Sequence, residues 1–337
     1  EEQRIERLAG ELAERGVDAL LVTTPVNVRY LTGFTGSNGI ALVSGGEQVG
    51  GHRFFTDFRY TTQSAEQVAP LLAREIVTGN LLQAAARTLA GSPGTLGFDD
   101  ASVTVADHKR LREALADGWR LAPCAGAVER LRAVKDAQEI ERMRASAELA
   151  DEALHGLLEG GLVGRSEREV AIDLELRMRR LGAESASFPS IVAAGAHGAL
   201  PHAEPRDEPI PADVLVTIDW GALHDGYCSD CTRTYATGER LPEQAEEIYS
   251  LVLEAQQLGV AAVRAGPTGR EVDAVAREAI ERAGQGERRL QAGNVVTVEP
   301  GVYLPGVLGV RIEDLLVVRE DGQEVLNGLD KALTVIS

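Results

Sequence analysis

The chain has 337 residues, which is more than one hydrophobic core usually serves, so the length predicts two domains. Lys and Arg total 34 against 52 Asp and Glu, and the formal charge is -18. A surface of this charge repels phosphate backbones and anionic lipids, which excludes nucleic acid and membranes as expected partners. Such an excess of acid is typical of a well-solvated surface, unless specific residues place part of it in a cation site.

The hydropathy and the cysteine content of the sequence indicate the cellular compartment of the protein. No apolar run reaches the roughly 18 residues that a membrane helix needs. The start of the chain is charged, and Ile5, Leu8 and Leu12 fall on one helical face, which is not the pattern of a signal peptide. The three cysteines are few and odd in number, as in proteins of a reducing compartment. These features predict a cytoplasmic protein.

The N-terminal part of the sequence alternates between short predicted strands and helices up to about residue 125. Ala19–Val22 predicts a buried strand, and Pro25 and Asn27 predict a turn directly after it. Alternation of this kind is typical of α/β domains with a parallel or mixed sheet. We therefore expect an α/β domain in this part of the chain.

Longer helical periodicity follows. It runs over Val128–Leu158 without an interior Gly or Pro. A second helix is predicted over Glu167–Leu181, where Gly182 would end it. We place the domain boundary before the first of these helices, which predicts one domain over residues 1–127 and another over 128–337.

The C-terminal domain contains a faint internal repeat. Val214–Gly221 aligns with Asn294–Gly301 at an offset of 80 residues, with Thr, Gly and an acidic residue in register. Helical sequence precedes both segments, and each segment opens a predicted hairpin. Two related halves that face each other would explain the pattern, and chance similarity between Val-rich strands would explain it as well.

The first predicted hairpin carries two acids in otherwise Val-rich strands. Its turn signal is Leu223–Gly226, in which Asp-Gly favours positive φ. A turn centred directly after His224 sets Asp219 opposite Asp230, with Cβ atoms about 4.5–5.5 Å apart on one face. Like charges in this arrangement destabilise a hairpin unless something offsets them.

The second predicted hairpin repeats this feature. A turn centred on Gly306 places Glu299 opposite Glu313. An ionised carboxylate removed from water costs several kcal/mol unless it is paired or bound to a metal. Arg233 and Arg311 are the only cations within these strand segments, and strand alternation points Arg311 to the face of Glu313.

Four acids at matched positions predict a metal site. Oxygen ligands in this number suit Mn²⁺ or Mg²⁺, and also the borderline ions Co²⁺ and Zn²⁺. A pair of ions bridged by carboxylates is the arrangement that activates water at neutral pH. The alternative is two solvated hairpins whose acids point to water. That alternative fits each acid taken singly, but the four together favour the metal site.

Seven segments, spread over nearly the whole chain, are similar to a known family. They are Asn27–Phe34, Phe54–Tyr60, Ser187–Val192, Pro201–His202, Ile218–Thr234, Val296–Tyr303 and Gly309–Asp314. In them the chain resembles the prolidase, aminopeptidase P and methionine aminopeptidase family. The resemblance implies an α/β N-terminal domain of the creatinase and prolidase type, followed by an α+β metallopeptidase domain with the pita-bread fold. Creatinase shares this architecture without the metals, but it lacks the full set of acids.

The resemblance also assigns roles to the four acids. Asp219 and Asp230 would be ligands of one metal ion, with Asp230 bridging to a second ion. Glu299 and Glu313 would complete the shell, with Glu313 also bridging. Glu299 would in addition act as a general base beside the nucleophile. The implied cofactor is a pair of divalent ions, Mn²⁺ first, with Co²⁺ or Zn²⁺ as alternatives.

Further residues of the motifs match the family's substrate site. His202 matches a histidine that steadies the substrate and the tetrahedral intermediate, and a buried structural histidine is the alternative interpretation. Tyr303 and Arg311 stand at positions that line the substrate pocket. His197, five residues before His202, is expected at the surface.

One part of the family pattern is missing from the sequence. The family has a fifth ligand in a Gly-His-Gly-type segment and a second catalytic histidine in a His-Glu segment, both between the positions of Ala283 and Asn294. All six histidines of this chain precede that interval. Either the protein has lost the segment, or the sequence omits residues of the natural chain between Ala283 and Gly293. The intact acids favour omission.

The predicted activity is metal-dependent hydrolysis of the peptide bond that precedes proline. An Xaa-Pro dipeptidase is favoured, with an aminopeptidase that acts on Xaa-Pro-Yaa peptides close behind. The alternative from another class is a non-catalytic pita-bread module that binds peptides or proteins. The expected partners are proline-containing di- or oligopeptides and a second copy of the chain in a homodimer.

Overall fold

The computed structural model divides the chain into two units, Glu1–Ala133 and Val134–Ser337. The structure describes residues 1–46, 49–89, 93–280 and 290–336. Within these ranges no helix is both long and apolar enough to cross a membrane.

The N-terminal unit is built on one mixed sheet. Its helices are α1 (Glu2–Glu14), α2 (Pro25–Thr32), α3 (Thr61–Gln67), α4 (Leu81–Arg87), α5 (Val105–Ala114) and α6 (Ala127–Ala133), with a 3-10 helix at Phe58–Tyr60. Its strands are β1 (Ala19–Val22), β2 (Gly39–Ser44), β3 (Arg53–Thr56), β4 (Ala73–Ile76), β5 (Gly94–Phe98) and β6 (Trp119–Pro123). They lie in the order β4-β3-β2-β1-β5-β6, and β1 runs antiparallel to β2 and parallel to β5. The predicted α/β class is confirmed.

The region after β1 differs from the prediction. The chain forms helix α2 where a turn is predicted, because the fixed φ of Pro25 suits the first helical turn. Asn27 of this helix is buried and bonds to α6, with Arg132 Nη1 donating to its Oδ1 at 2.9 Å. Val128 and Leu131 of α6 are buried in the same core. These contacts place α6 in the N-terminal unit, although the predicted boundary precedes it.

The prediction of a single helix from Val128 to Leu158 is wrong, because helix α6 ends and a separate helix, α7 (Ala137–Leu158), follows it. Asp136 caps the second helix. Its Oδ1 accepts from the Glu139 N–H at 2.9 Å, and Glu139 Oε2 accepts from the Asp136 N–H at 3.1 Å. This capping box makes residue 136 a helix start and excludes one continuous helix.

The C-terminal unit continues with helices and small antiparallel sheets. The further helices are α8 (Glu167–Leu181), α9 (Ala245–Ala262) and α10 (Gly269–Ile280), with a 3-10 helix at Gly195–Ala199. Its strands are β7 (Ser185–Ala186), β8 (Ile191–Ala194), β9 (Leu215–Trp220), β10 (Ala222–His224), β11 (Tyr227–Cys228), β12 (Cys231–Ala236), β13 (Val295–Val298), β14 (Gly301–Leu304), β15 (Leu308–Arg311), β16 (Asp314–Arg319) and β17 (Gly322–Val325). Helix α8 has the predicted bounds, and Gly182 ends it with φ 115°.

In the described residues of this unit, a packed pair of helices precedes the strand that leads to an acid in each half. Helices α7 and α8 pack together and precede β9, and α9 and α10 pack together and precede β13. An antiparallel bridge between Thr232 and Glu313 joins the two halves. Two related halves therefore explain the sequence repeat better than chance similarity does.

The two predicted hairpin registers have different outcomes. In the first, Asp225 and Gly226 both have positive φ and occupy the two central turn positions, so Asp219 pairs with Thr232. The predicted opposition of Asp219 and Asp230 is therefore wrong. In the second hairpin, β14 and β15 pair about Gly306, as predicted.

Gly309→Ala should destabilise the protein, since its Cβ would lie 1.9 Å from the carbonyl oxygen of Gly198. Overpacking against backbone typically costs about 1–3 kcal/mol. Urea unfolding measures the change. Gly322→Ala is the matched control, because no atom lies within 4 Å of its added Cβ. Equal stability of the two variants would contradict this close contact.

Candidate metal centre

Asp219 lies in β9, the central strand of the sheet β12-β9-β8. It is paired with Ile191 of β8 on one side and with Thr232 of β12 on the other. The next residue fixes the strand against α7, because Trp220 Nε1 donates to the Ala150 carbonyl at 2.9 Å within the core. Asp219 therefore stands on a rigid support.

Asp230 follows Ser229 in the connection between β11 and β12. Ser229 Oγ accepts from the Ala222 N–H at 3.0 Å and donates to the Ser146 carbonyl of α7 at 3.1 Å. Gly221 leaves no room for a side chain, since a Cβ there would lie 2.0 Å from the Ser229 carbonyl oxygen. These contacts fix the backbone from which the Asp230 side chain projects.

Glu313 comes from the other half of the domain, between β15 and β16. Its N–H donates to the Thr232 carbonyl at 3.1 Å, and its Oε2 accepts from Thr232 Oγ1 at 2.7 Å. Behind it, Arg233 Nη2 and Asp314 Oδ1 form a buried ion pair at 2.7 Å. Arg233 Nη1 also donates to the Glu313 carbonyl. The junction of the two halves thus carries Glu313 to the other acids.

Three carboxylates converge at this junction. Ligand atoms of Asp219, Asp230 and Glu313 lie within 4.8 Å of one another. With Glu299 they line one cavity of about 430 Å³, called here the carboxylate cavity. Its other lining residues are Phe188, Pro189, Ser190, Ile191, His202, Ala203, Glu204 and Pro205. None of the residues that line it is Lys or Arg, so no cation within the lining compensates its acids.

Two buried polar atoms at the carboxylate cavity lack a hydrogen-bond partner among the described residues. They are Asp219 Oδ1 and Ser190 Oγ. A buried polar atom left unpaired costs about 1–3 kcal/mol, so such atoms in native proteins call for a ligand, an ion or a water. An unpaired carboxylate oxygen beside two further carboxylates is suited to a cation.

Burial raises the pKa of all three clustered carboxyls. The next cause is the charge of Asp219 for Asp230, and the charge of Asp230 for Glu313. For Asp219 the guanidinium of Arg311 counteracts the effect of burial on the pKa. The cluster therefore resists three negative charges unless a cation compensates them, and oxygen-only ligands fit a hard divalent ion.

Glu299 lies at the edge of the carboxylate cavity and outside the three-residue cluster. The register of β13 with β16 sets Glu299 opposite Glu313, as the sequence predicts. Its side chain is exposed and accepts a hydrogen bond from Thr297 Oγ1 at 3.1 Å. Although it is exposed, its charge acts on the cluster and adds to the rise in the pKa of Asp219, Asp230 and Glu313.

The two arginines of these strands have different partners. Arg233 is buried with Asp314 and does not pair with the cluster. Arg311 pairs through Nη2 with Asp219 and donates from Nε to Thr232 Oγ1 at 3.0 Å. The sequence offers few basic residues to neutralise the acids, and of the clustered acids Asp219 is the one that pairs with an arginine. Asp230 and Glu313 form no ion pair within the described part of the chain.

The predicted substrate residues lie at two cavities that share His202 and Glu299. The second cavity, of about 580 Å³, is lined also by Tyr303 and Arg311. Arg311 Nη1 donates to the Tyr303 hydroxyl at 3.2 Å and to the Pro201 carbonyl at 2.8 Å. His202 is exposed, so the alternative of a buried structural histidine is wrong.

His197 is predicted at the surface, and this prediction is wrong. Its side chain is only 8% exposed, and its Nδ1 lies 2.8 Å from Oε2 of Glu167. Glu167 is the first residue of α8 and is itself buried. The sequence shows it only as a helix start, because its partner lies 30 residues away.

Two family models match the chain. The Creatinase/Prolidase N-terminal domain model matches residues 4–134, and the Metallopeptidase family M24 model matches residues 141–288 and 283–320. The chain belongs to metallopeptidase family M24. It is a metallopeptidase with a pita-bread catalytic domain, which confirms the fold and the class of enzyme expected from the motifs.

Similar proteins extend over the whole chain. The uncharacterized peptidase YqhT of Bacillus subtilis (strain 168) is 39% identical, and the match covers 99% of this chain and 100% of that protein. The structure of an Xaa-Pro dipeptidase from Bacillus anthracis is 36% identical, with a TM-score of 0.91 and coverage of 99% of both chains. An X-Pro aminopeptidase structure from Thermotoga maritima MSB8 is 31% identical, with a TM-score of 0.88 and coverage of 96% and 99%.

The comparisons bear on the predicted missing segment. The alignment with YqhT has 361 positions, 24 more than this chain has residues, so YqhT carries at least 24 residues without a counterpart here. The two M24 matches overlap at residues 283–288, inside the interval where the segment is expected. Residues 281–289 lie outside the described residues. The omission of residues of the natural chain between Ala283 and Gly293 therefore stays a prediction.

Glu313→Gln should stabilise the metal-free M24 peptidase at alkaline pH. The raised folded pKa of Glu313 contributes stability at low pH that is lost as the pH rises through that pKa. Near pH 8, between the ordinary value of 4.5 and the folded pKa of about 9, the folded wild type must keep Glu313 protonated while the unfolded chain ionises, a cost that the variant lacks. In chelator, the free energy of unfolding of the variant should exceed that of wild type by more than about 1 kcal/mol near pH 8 and match it near pH 5.

Glu320→Gln is the control for this comparison, because it removes an exposed charge just after β16. It should give no such difference. Adding Mn²⁺ should reverse the order, since the wild type keeps all its carboxylates for the ion. A difference between wild type and Glu313→Gln that does not grow with pH would contradict the burial argument.

Proposed function

We propose that this peptidase hydrolyses the peptide bond before proline, with Xaa-Pro dipeptides as its first substrates. The observation that carries the proposal is the cluster of Asp219, Asp230 and Glu313, with its unpaired carboxylate oxygen. Similarity to the Xaa-Pro dipeptidase from Bacillus anthracis over 99% of both chains supports the substrate class.

Two divalent ions would be held by the clustered carboxylates, with Glu299 as the fourth ligand. Mn²⁺ is the favoured ion, because every proposed ligand is a carboxylate, and Co²⁺ or Zn²⁺ are alternatives. When bound, the ions supply the activation of a water molecule and the polarisation of the peptide carbonyl.

The other residues orient the substrate and move a proton. Glu299 is exposed at the cavity edge, where its carboxylate can accept a proton from the attacking water. His202 is exposed at both cavities and would donate a hydrogen bond to the substrate carbonyl oxygen. Arg311 pairs with Asp219 and donates to the Tyr303 hydroxyl, so Arg311 and Tyr303 would present one fixed wall of the larger cavity to the peptide.

Longer peptides are the alternative substrates. The X-Pro aminopeptidase from Thermotoga maritima matches the fold nearly as well as the dipeptidase does, with TM-scores of 0.88 and 0.91. Rates on Ala-Pro and on Ala-Pro-Ala, measured side by side, decide between the two. An aminopeptidase would prefer the tripeptide.

A non-catalytic binding module is the second candidate function, and the absence of the histidine segment from the sequence favours it. The four retained acids oppose it, since mutually repelling carboxylates do not help a pure binder. The intact mass of the protein tests this candidate. A mass equal to that of the 337 residues, together with no turnover in Mn²⁺, would move the binding module to first place.

A cytoplasmic homodimer is the proposed setting. Cys124, Cys228 and Cys231 are all free, as expected in a reducing compartment. The dimer rests on the family resemblance. Light scattering on the purified protein would test it.

Hydrolysis of Ala-Pro should disappear in chelator and return with Mn²⁺ or Co²⁺, because the carboxylate oxygens exchange such ions. Release of free proline measures the activity. Ala-Ala is the matched control, and it should be cleaved poorly under all conditions. Unchanged Ala-Pro hydrolysis after thorough chelation would refute a metal-dependent mechanism.

Substitutions at Glu299 and His202 should have separable effects. Glu299→Ala should abolish turnover, because it removes both a ligand and the proposed base. His202→Ala should leave the metal content unchanged while it lowers kcat by about 100-fold, the usual size of one acid–base or hydrogen-bonding contribution. Elemental analysis and steady-state kinetics measure the two effects.

Controls for these variants are available in the chain. Glu320→Ala and His155→Ala change exposed residues outside both cavities and should leave kcat and metal content as in the wild type. Loss of metal in His202→Ala would show that His202 is a ligand, contrary to the role proposed here.

A further inference from the structure

His202 lies on an irregular segment between β8 and β9, and the middle of this segment packs against β15. The segment begins at Ala194, the last residue of β8, and continues through the 3-10 helix at Gly195–Ala199 to Arg206. Pro201 and His202 are both exposed. Exposed irregular backbone is the part of a protein that opens most easily, so the position of His202 depends on what holds this segment, residues 194–206.

One carboxylate holds both ends of the segment. At its start, Glu167 Oε1 accepts from the Ala194 N–H at 2.9 Å. At its end, Glu167 Oε2 accepts from the Arg206 N–H at 3.0 Å, and the Arg206 guanidinium contacts both oxygens at 3.3 Å. Between them, His197 Nδ1 lies 3.0 and 2.8 Å from the two oxygens.

The surroundings of Glu167 keep its side chain fixed and ionised. It is 1% exposed and lies at the N-terminus of α8, where the helix dipole favours a negative charge. Burial raises its pKa, but the hydrogen bonds from Arg206, Ala194 and His197 outweigh burial and keep the pKa below its usual value. The carboxylate therefore stays ionised, and every contact it makes to the segment is charge-assisted.

We propose that Glu167 is a positioning residue that sets His202 at the carboxylate cavity by fixing both ends of residues 194–206. This inference rests on the proposed peptidase function. Glu167 lines neither of the two cavities, so it acts on the substrate only through the segment. A third attachment, from Arg311 to the Pro201 carbonyl, holds the segment beside His202 and supports the same geometry.

Hydrogen–deuterium exchange tests the positioning without any use of activity. Glu167→Gln keeps the size of the side chain but presents an amide N–H to donors, so at least one attachment is lost. Amides of residues 194–206 should exchange at least about tenfold faster in the variant, as expected when a hydrogen bond to a charged group is removed. Unchanged exchange in this segment would overturn the proposal.

Glu169→Gln is the matched control. Glu169 is exposed at the same helix end, and its contact is to the Ser166 N–H and not to the segment. The same change of charge at the same terminus should leave exchange over residues 194–206 as in wild type. Equal acceleration in both variants would show an effect of the helix terminus and would also overturn the proposal.

A double-mutant cycle with His202→Ala separates positioning from a general structural role. In the Mn²⁺-loaded wild type, Glu167→Gln should lower kcat on Ala-Pro about tenfold or more, because small misplacements of a reacting group are costly. In the His202→Ala background it should have no further effect on kcat. An equal loss in both backgrounds would mean that Glu167 acts on stability and not through His202.

The peptidase function and the positioning role of Glu167 can be refuted separately. If the loaded wild type does not hydrolyse Ala-Pro, the proposed function fails, and the exchange experiment still decides whether Glu167 holds the segment. If Glu167→Gln does not fold, His197→Ala takes its place, since it removes one attachment and leaves the carboxylate. Faster exchange in the segment is expected there too, and wild-type exchange would refute the proposal.

Discussion

The buried ion pair between Arg233 and Asp314 is the interaction on which the metal centre depends. It lies where β12 of the first half of the catalytic domain meets β16 of the second, and both side chains are almost fully buried. Removal of one partner of such a pair typically costs about 3–5 kcal/mol, so this junction cannot slip without a large loss of stability. Because Thr232 and Glu313 are next to the pair in sequence, the junction also fixes the distance between the carboxylates of the two halves.

Electrostatic repulsion and rigid support oppose each other at the carboxylate cavity. Burial and mutual repulsion raise the pKa of Asp230 and Glu313, while Arg311 pairs with Asp219 and only partly offsets the rise at Asp230. The surrounding backbone cannot move the acids apart, because Trp220 and Ser229 bond to carbonyl groups of α7. The fold thus holds the acids close together and favours divalent cations, which relieve the repulsion.

Much of the metal centre could be predicted from the sequence. Acidic residues are unusual in Val-rich strands, and Gly306 gives the correct centre of the second hairpin turn. The first register was wrong because Asp225 and Gly226 fill the two central turn positions, which moves the turn centre past Asp225. The break before α7 has a local signal, the capping box of Asp136. The role of Glu167 has none, since its contacts come from residues distant in sequence and depend on the tertiary fold.

The repeat within the catalytic domain has an evolutionary consequence. Each half supplies one hairpin region with two of the four acids, and neither half alone brings three carboxylates together. An ancestral half-length protein could have formed such a centre only as a two-fold symmetric pair, with each copy contributing the same two acids. Fusion of the copies would then have freed the halves to diverge, so that one acquired Asp219 and the other Glu299 at equivalent positions.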